Sequence, residues 1–171
     1  MRIFQTLIFL FTLFIFRAET STAQQAPTDF QLVFKFGFTR NVEDQTTFNS
    51  KENTLIVHGV DTVMTLPLIF TKDEMNQVYG ELQKINFGNY PEKYIYQHPD
   101  TEQAYMMRPC NGYLLTTTTD KKTQTVEWNS CISSKTKDPK HIQLMELDRF
   151  IERLIWSKRP LKDYHPQKMK Y

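Results

Sequence analysis

Cys110-Asn-Gly-Tyr-Leu-Leu-Thr-Thr-Thr-Thr-Asp120-Lys121-Lys-Thr-Gln-Thr-Val-Glu-Trp-Asn-Ser-Cys131 is the stretch whose reading decides the fold. Two β-favouring runs flank the polar Asp120-Lys121 centre, and the only two cysteines of the chain stand at the ends. Folding the segment about Asp120-Lys121 makes residues face each other when their numbers sum to 241. Cys110 then opposes Cys131, Tyr113 opposes Trp128, and Leu115 opposes Val126. Side chains alternate faces along a strand, so Tyr113, Leu115, Val126 and Trp128 share one side. The cysteines share the other with Thr116, Thr118, Thr125 and Glu127. Aromatic and β-branched cross-strand pairs add roughly 0.2–1 kcal/mol each, which selects the Tyr/Leu/Val/Trp side for burial. A slip of one residue would exchange the two faces. Closing the Cys110–Cys131 loop would restrain the unfolded chain by roughly 3 kcal/mol.

The N-terminus bears on whether that pair is oxidised. Met1-Arg2 is a short positive start, and residues 3–16 are an almost unbroken apolar run. Ser21 and Ala23 place small residues three and one positions before a cut between Ala23 and Gln24, which is the layout of a secretory signal peptide. At 1.5 Å per residue the apolar run spans roughly 21 Å of helix, short of the roughly 30 Å hydrocarbon core of a membrane. The expectation is therefore a signal peptide at 1–23, a secreted or periplasmic protein, and no transmembrane span after removal. Disulfides persist in such compartments.

Residues 24–171 have the size of one domain, large enough for a proper core. The whole chain carries a net charge of +2. Removing Arg2, Arg17 and Glu19 with the signal leaves a near-neutral domain, which argues against nucleic acid as a partner. There is no internal repeat, low-complexity run or long linker.

Phe30, Leu32, Phe34, Phe36 and Phe38 alternate with Gln31, Val33, Lys35 and Gly37, the clearest strand pattern in the chain. Residues 44–57 read as two extended stretches around a Lys51-Glu52-Asn53 turn, with Thr39-Arg40-Asn41 and His58-Gly59 as further turns. Met64, Leu66, Leu68 and Phe70 alternate again. Pro67 cannot donate to a ladder and points to an edge strand. Thr71-Lys72-Asp73-Glu74 is a capping box, followed by a helical stripe of Met75, Val78, Tyr79, Leu82 and Ile85 that stops at residues 87–91. Residues 90–109 read as irregular, with short extended pieces at 94–97 and 103–108. Asp138-Pro139 suits a helix start, and Ile142, Met145, Leu147, Phe150, Ile151, Leu154 and Ile155 form its apolar stripe. A basic, irregular tail runs from about residue 158. The order strands, helix, strands, helix predicts an α+β domain, a twisted antiparallel sheet with two helices packed on one face.

Chemistry-bearing patterns are sparse. His58, His98, His141 and His165 are scattered without the spacing of a zinc site, so no metal or cofactor is expected. No nucleophile elbow and no phosphate-cradling glycine loop occurs. His58 with Asp61 reads as turn polarity, and Glu127 beside Trp128 lacks the second carboxylate that glycoside cleavage needs. The basic tail, with Lys158, Arg159, Lys162, Lys168 and Lys170, reads as solvated or as a contact to an anionic surface. Tyr90, Tyr94, Tyr96 and Tyr105 crowd the segment before the hairpin. Tyrosine joins an apolar ring to a polar tip and is favoured at interfaces. These four are the candidate binding surface for a protein or glycan, or else rings that pin a long loop to the sheet.

Residues 66–94 (strand, Thr-Lys-Asp-Glu cap, helix, Ile-Asn-Phe, Tyr-Pro), 113–128 (hairpin ending in Val-Glu-Trp) and 144–171 (helix, then a Lys/Tyr/Pro tail) resemble a bacterial family of small secreted proteins and lipoproteins, a domain of unknown function. The resemblance implies export and supplies no catalytic residue. This chain lacks the lipid-acceptor cysteine that lipoproteins of that family carry. The sequence thus predicts a non-enzymatic exported domain that binds or modulates a partner at the cell envelope. The alternative is a small hydrolase whose site is not visible as a linear motif.

Overall fold

The computed structural model describes residues 25–38, 45–59, 62–95, 110–130 and 138–158. The alternating phenylalanines form β1 (Gln31–Gly37), with Phe30, Leu32, Phe34 and Phe36 buried. The strand ends at Gly37, so Phe38 is no longer held to that face and is 55% exposed, where the sequence pattern would have buried it. β2 (Thr46–Asn49) and β3 (Thr54–His58) follow, joined through the expected turn at residues 51–53. Asn49 Oδ1 accepts from the Lys51 and Glu52 amides there, and Asn53 takes a left-handed backbone, which asparagine tolerates. β4 (Val63–Pro67) pairs with β3 alone and forms one edge of the sheet, as Pro67 requires.

The first helix, α1 (Lys72–Lys84), opens on the complete capping box. Glu74 N donates to Thr71 Oγ1 at 3.2 Å, and Thr71 N donates to Glu74 Oε2 at 2.7 Å. Val78 and Leu82 are buried, with Met75, Tyr79 and Ile85 packed beside them. Asn86 breaks the helix in a left-handed conformation, and a short 3-10 turn (Phe87–Asn89) leads to β5 (Lys93–Tyr94).

The hairpin is β6 (Gly112–Thr119) and β7 (Lys122–Asn129), in the register the sequence predicts: Tyr113 opposite Trp128 and Leu115 opposite Val126. Asp120 and Lys121 both have positive φ, as a two-residue turn matched to strand twist needs. Asp29 Oδ2 accepts the Lys121 amide at 3.0 Å and braces that turn. Tyr113, Leu115, Val126 and Trp128 are all buried. On the opposite side Thr116 pairs with Thr125 through their hydroxyls at 3.0 Å.

The second helix, α2 (Pro139–Trp156), starts on the Asp138 cap with proline in its first turn. The described residues form an α+β fold: a seven-stranded mixed sheet, order β4-β3-β2-β1-β6-β7-β5, with two α-helices. Its ladders are antiparallel except β5 with β7, which run parallel over two residues. An all-antiparallel sheet was the sequence expectation. The chain instead enters β5 from the 3-10 turn that follows α1, outside any hairpin, and nothing then forces the direction to alternate. Phe34, at the centre, stacks on Tyr113 and Trp128 at centroid distances of 6.2 and 6.3 Å.

Candidate functional site

Two clusters of polar groups flank α2, and they differ in how their charges are satisfied. The first holds the candidate tyrosines. Tyr90 is buried and donates within reach of Gln143 Oε1 (2.9 Å) and the Lys140 carbonyl (3.1 Å), while its own carbonyl accepts from Gln124 Nε2 at 2.8 Å. Tyr94, half-buried on β5, donates to Asp138 Oδ2 at 2.7 Å. The two rings meet edge to face at 5.5 Å. Tyr90 and Tyr94 thus tie the β5 segment to both the hairpin and the start of α2. Tyr96 and Tyr105 lie outside the described residues.

Asp138 serves two partners with its two oxygens, since Oδ1 accepts the Lys140 amide at 3.0 Å. The Tyr94 hydroxyl is the main influence holding this carboxyl below its usual range, helped by the helix amides against a partial burial penalty. Burial, and then the bond to Asp138, pushes the Tyr94 phenol up to about 12. His141 is buried one turn on, its ring 6.4 Å from that of Tyr94, and burial lowers its proton affinity despite nearby Asp138.

The second cluster was not visible in the sequence. Asp148 is fully buried in the middle of α2, and neither carboxyl oxygen makes a hydrogen bond among the described residues. The Trp128 indole Nε1, also buried, completes no hydrogen bond. Burial first, and the neighbouring Glu152 second, push the Asp148 carboxyl up to about 7, against the weaker opposing pull of the Trp128 N–H and the Arg149 amide. Tyr113 stands on the same ground from β6: burial, then Asp148, raise its phenol to about 12, although Asn111 Nδ2 donates to its oxygen at 3.2 Å. Burial also raises Glu152, opposed by a hydrogen bond with Trp156. Glu152 lines an open cleft of about 940 Å³ between the helices, with Glu81 and Lys84 of α1 and Arg149, Arg153 and Trp156 of α2. The mixed charge of those walls selects no single class of ion.

The signal that could have found Asp148 is positional. His141, Leu144, Asp148, Ile151 and Ile155 follow the 3–4 spacing of one helix face. Choosing only apolar residues shifts the stripe to include Ile142, which is in fact 40% exposed.

The other residues singled out by sequence are dispersed. Glu127 sits on β7 with Lys93 Nζ at 3.6 Å, and His58 closes β3 while Asp61 lies outside the described residues. Lys158 of the basic tail meets both oxygens of Glu74, tying the end of α2 to the cap of α1; the rest of the tail is outside the described residues. Cys110 precedes β6, and Cys131 lies outside the described residues. Among the described residues no group of three or more His, Cys, Asp or Glu is placed to hold a metal ion, and no helix is long and apolar enough to cross a membrane. No protein-family model matches the chain, and no curated protein is significantly similar to it.

Proposed function

We propose that the chain is an exported, non-enzymatic domain that binds or modulates a protein or glycan at the cell envelope, with Tyr96 and Tyr105 in its contact surface. The observation that carries this reading is where the tyrosine-bearing segment is fastened. β5 runs parallel to β7 with Tyr94 opposite Trp128, and β6 runs antiparallel with Tyr113 opposite the same residue. The chain therefore leaves β5 and returns to β6 at the same end of the sheet, on either side of β7. Tyr94 is fixed to Asp138 at the exit. A segment held at both ends on a rigid sheet is the usual way a scaffold presents a recognition surface.

Export is part of the proposal and rests on residues 1–23 read as a signal peptide. It carries with it a Cys110–Cys131 disulfide. In support, the β6–β7 ladder continues beyond Gly112–Asn129 into reciprocal bonds, Asn111 N to Ser130 Oγ at 2.8 Å and Ser130 N to the Asn111 carbonyl at 2.9 Å. The next pair in that register is Cys110 with Cys131. We further infer that both helices cover one face of the sheet. Support for this comes from the single core cluster that unites the alternate buried strand residues with Val78, Leu82, Leu144, Ile151 and Ile155.

The test immobilises residues 24–171, as wild type and as the Tyr96→Ala/Tyr105→Ala variant, and challenges each with envelope extract and a glycan array. The reading expects a ligand retained by wild type and lost by the variant, with unchanged thermal melting. Equal capture by both proteins would refute it, as would a variant whose melting collapses.

A further inference from the structure

We propose that Asp148 and Glu152 form a proton-operated latch: protonated, the pair lets α2 dock on the β6–β7 hairpin, and loss of the proton as pH rises through neutrality loosens that docking.

The geometry begins with how little compensates a charge on Asp148: the Trp128 N–H, the Arg149 amide and the Arg149 charge favour the carboxylate, and burial and Glu152 outweigh them. The Asp148 side chain is fully buried, and neither oxygen has a hydrogen-bond partner among the described residues. A carboxylic acid tolerates such a place, whereas a carboxylate without a counter-ion or full set of donors does not. The groups that face it sharpen the asymmetry. From β6 comes Tyr113, a neutral phenol whose oxygen is already engaged by Asn111. From β7 comes the Trp128 indole, stacked on Tyr113 at 5.5 Å. On α2 itself the next turn supplies Glu152, a second acid, while Arg149, exposed and lining the same cleft as Glu152, pulls more weakly toward the carboxylate, and Lys84 of α1 and Arg153 of α2 stand in the cleft wall beside Glu152. His141, two turns earlier, lies against Tyr94 and Asp138 at the other cluster.

Glu152 gives the buried acid its route to water. One turn from Asp148 on the same helix, it acts on that carboxyl and also lines the interhelical cleft. A proton released from Asp148 can therefore leave along one helix face without passing through the aromatic core. Two neighbouring acids resist carrying two negative charges, so the first proton is retained to higher pH than either acid alone would hold it. When that proton leaves, the charge is relieved by moving α2 off Trp128 and Tyr113, which admits water to the carboxylates.

The experiment follows α2 directly. Amide hydrogen exchange of its buried stretch, corrected for the intrinsic pH dependence of exchange, is measured from pH 5 to pH 9 on wild type, Asp148→Asn and Glu152→Gln. Wild-type protection should fall roughly a hundredfold over that range, the linkage expected for an acid displaced from 3.8 to about 7. Asp148→Asn should hold nearly constant protection, and Glu152→Gln should move the wild-type transition to lower pH. The proposal is overturned if Asp148→Asn keeps the wild-type pH dependence, or if wild-type protection is flat. Carbon-13 carboxyl titration of the wild type gives a second readout that needs no variant to fold. A midpoint for Asp148 near neutrality supports the latch, and one in the ordinary aspartate range refutes it.

Discussion

The β6–β7 hairpin and helix α2 press on each other across one core, yet they obey their sequence patterns to different degrees. In the hairpin, every residue read as inward is buried, and the polar threonines pair on the other side. In α2 the inward arc contains His141 and Asp148, both fully buried. A strand offers only two faces, so one aromatic pair such as Tyr113 and Trp128 settles which is which. A helix offers a continuous arc, and rotation by a single residue swings a side chain by about 100°. Polar residues can then enter the core at the cost of their charge. Asp138, the cap of α2, and Asp148, ten positions on within it, show what that cost depends on. Asp138 has a donor for each oxygen and ionises readily, whereas Asp148 completes no hydrogen bond among the described residues and is pushed up to about 7 by burial and Glu152.

The largest expected effect lies on the hairpin side. Trp128→Ala removes the ring on which Phe34 and Tyr113 stack and should cost about 5 kcal/mol in denaturant unfolding, near the top of the range for buried aromatics. A loss under about 2 kcal/mol would mean that this face does not anchor the core. Asp148→Asn comes next, and its effect depends on pH. The folded-state pKa is raised from 3.8 to about 7, so the folded protein binds the extra proton between those values. The stability is fully present below 3.8 and lost as pH rises through about 7. At pH 8 the asparagine variant should be more stable than wild type by about 4 kcal/mol, with the difference vanishing in acid. Chemical unfolding at pH 5 and pH 8 reads this, and an equal difference at both would contradict it.

Asp138→Ala is the smaller, opposite case. It removes the helix cap and the acceptor of Tyr94, and should cost about 1–2 kcal/mol at neutral pH. Because that carboxyl's pKa is lowered, its contribution is present above the unfolded value and lost as pH falls through the folded one. Variant and wild type should therefore converge in strong acid, and a gap that persists there would show the loss to be steric. The smallest effect belongs to the outer side of the hairpin. Thr116→Val breaks only the hydroxyl pair with Thr125 and should stay within about 0.5 kcal/mol. A larger loss would assign that face a packing role.

Much of the fold was legible because its signals are local. The capping box at Thr71 and Glu74, the asparagine turn at Asn53, the edge proline Pro67 and the hairpin register each depend on neighbours in sequence or on a period of two. What escaped depends on the other side of the contact. The parallel seat of β5 is decided by β7, the exposure of Phe38 by where β1 ends, and the exposure of Ile142 by the burial of His141 and Asp148 on the inward arc of α2. Of the candidate binding residues, Tyr90 is buried and bonded to Gln143, and Tyr94 is half-buried and bonded to Asp138. Asp148 was the hardest to see, since hydropathy places an aspartate at the surface by default.

Intact-mass spectrometry of the exported chain, without reductant, tests most directly whether this hairpin frames an exported domain. The account predicts a polypeptide beginning at Gln24 and lighter by two hydrogens than its dithiol form. A species that retains residues 1–23, or one in which Cys110 and Cys131 both react with an alkylating agent before reduction, would contradict it.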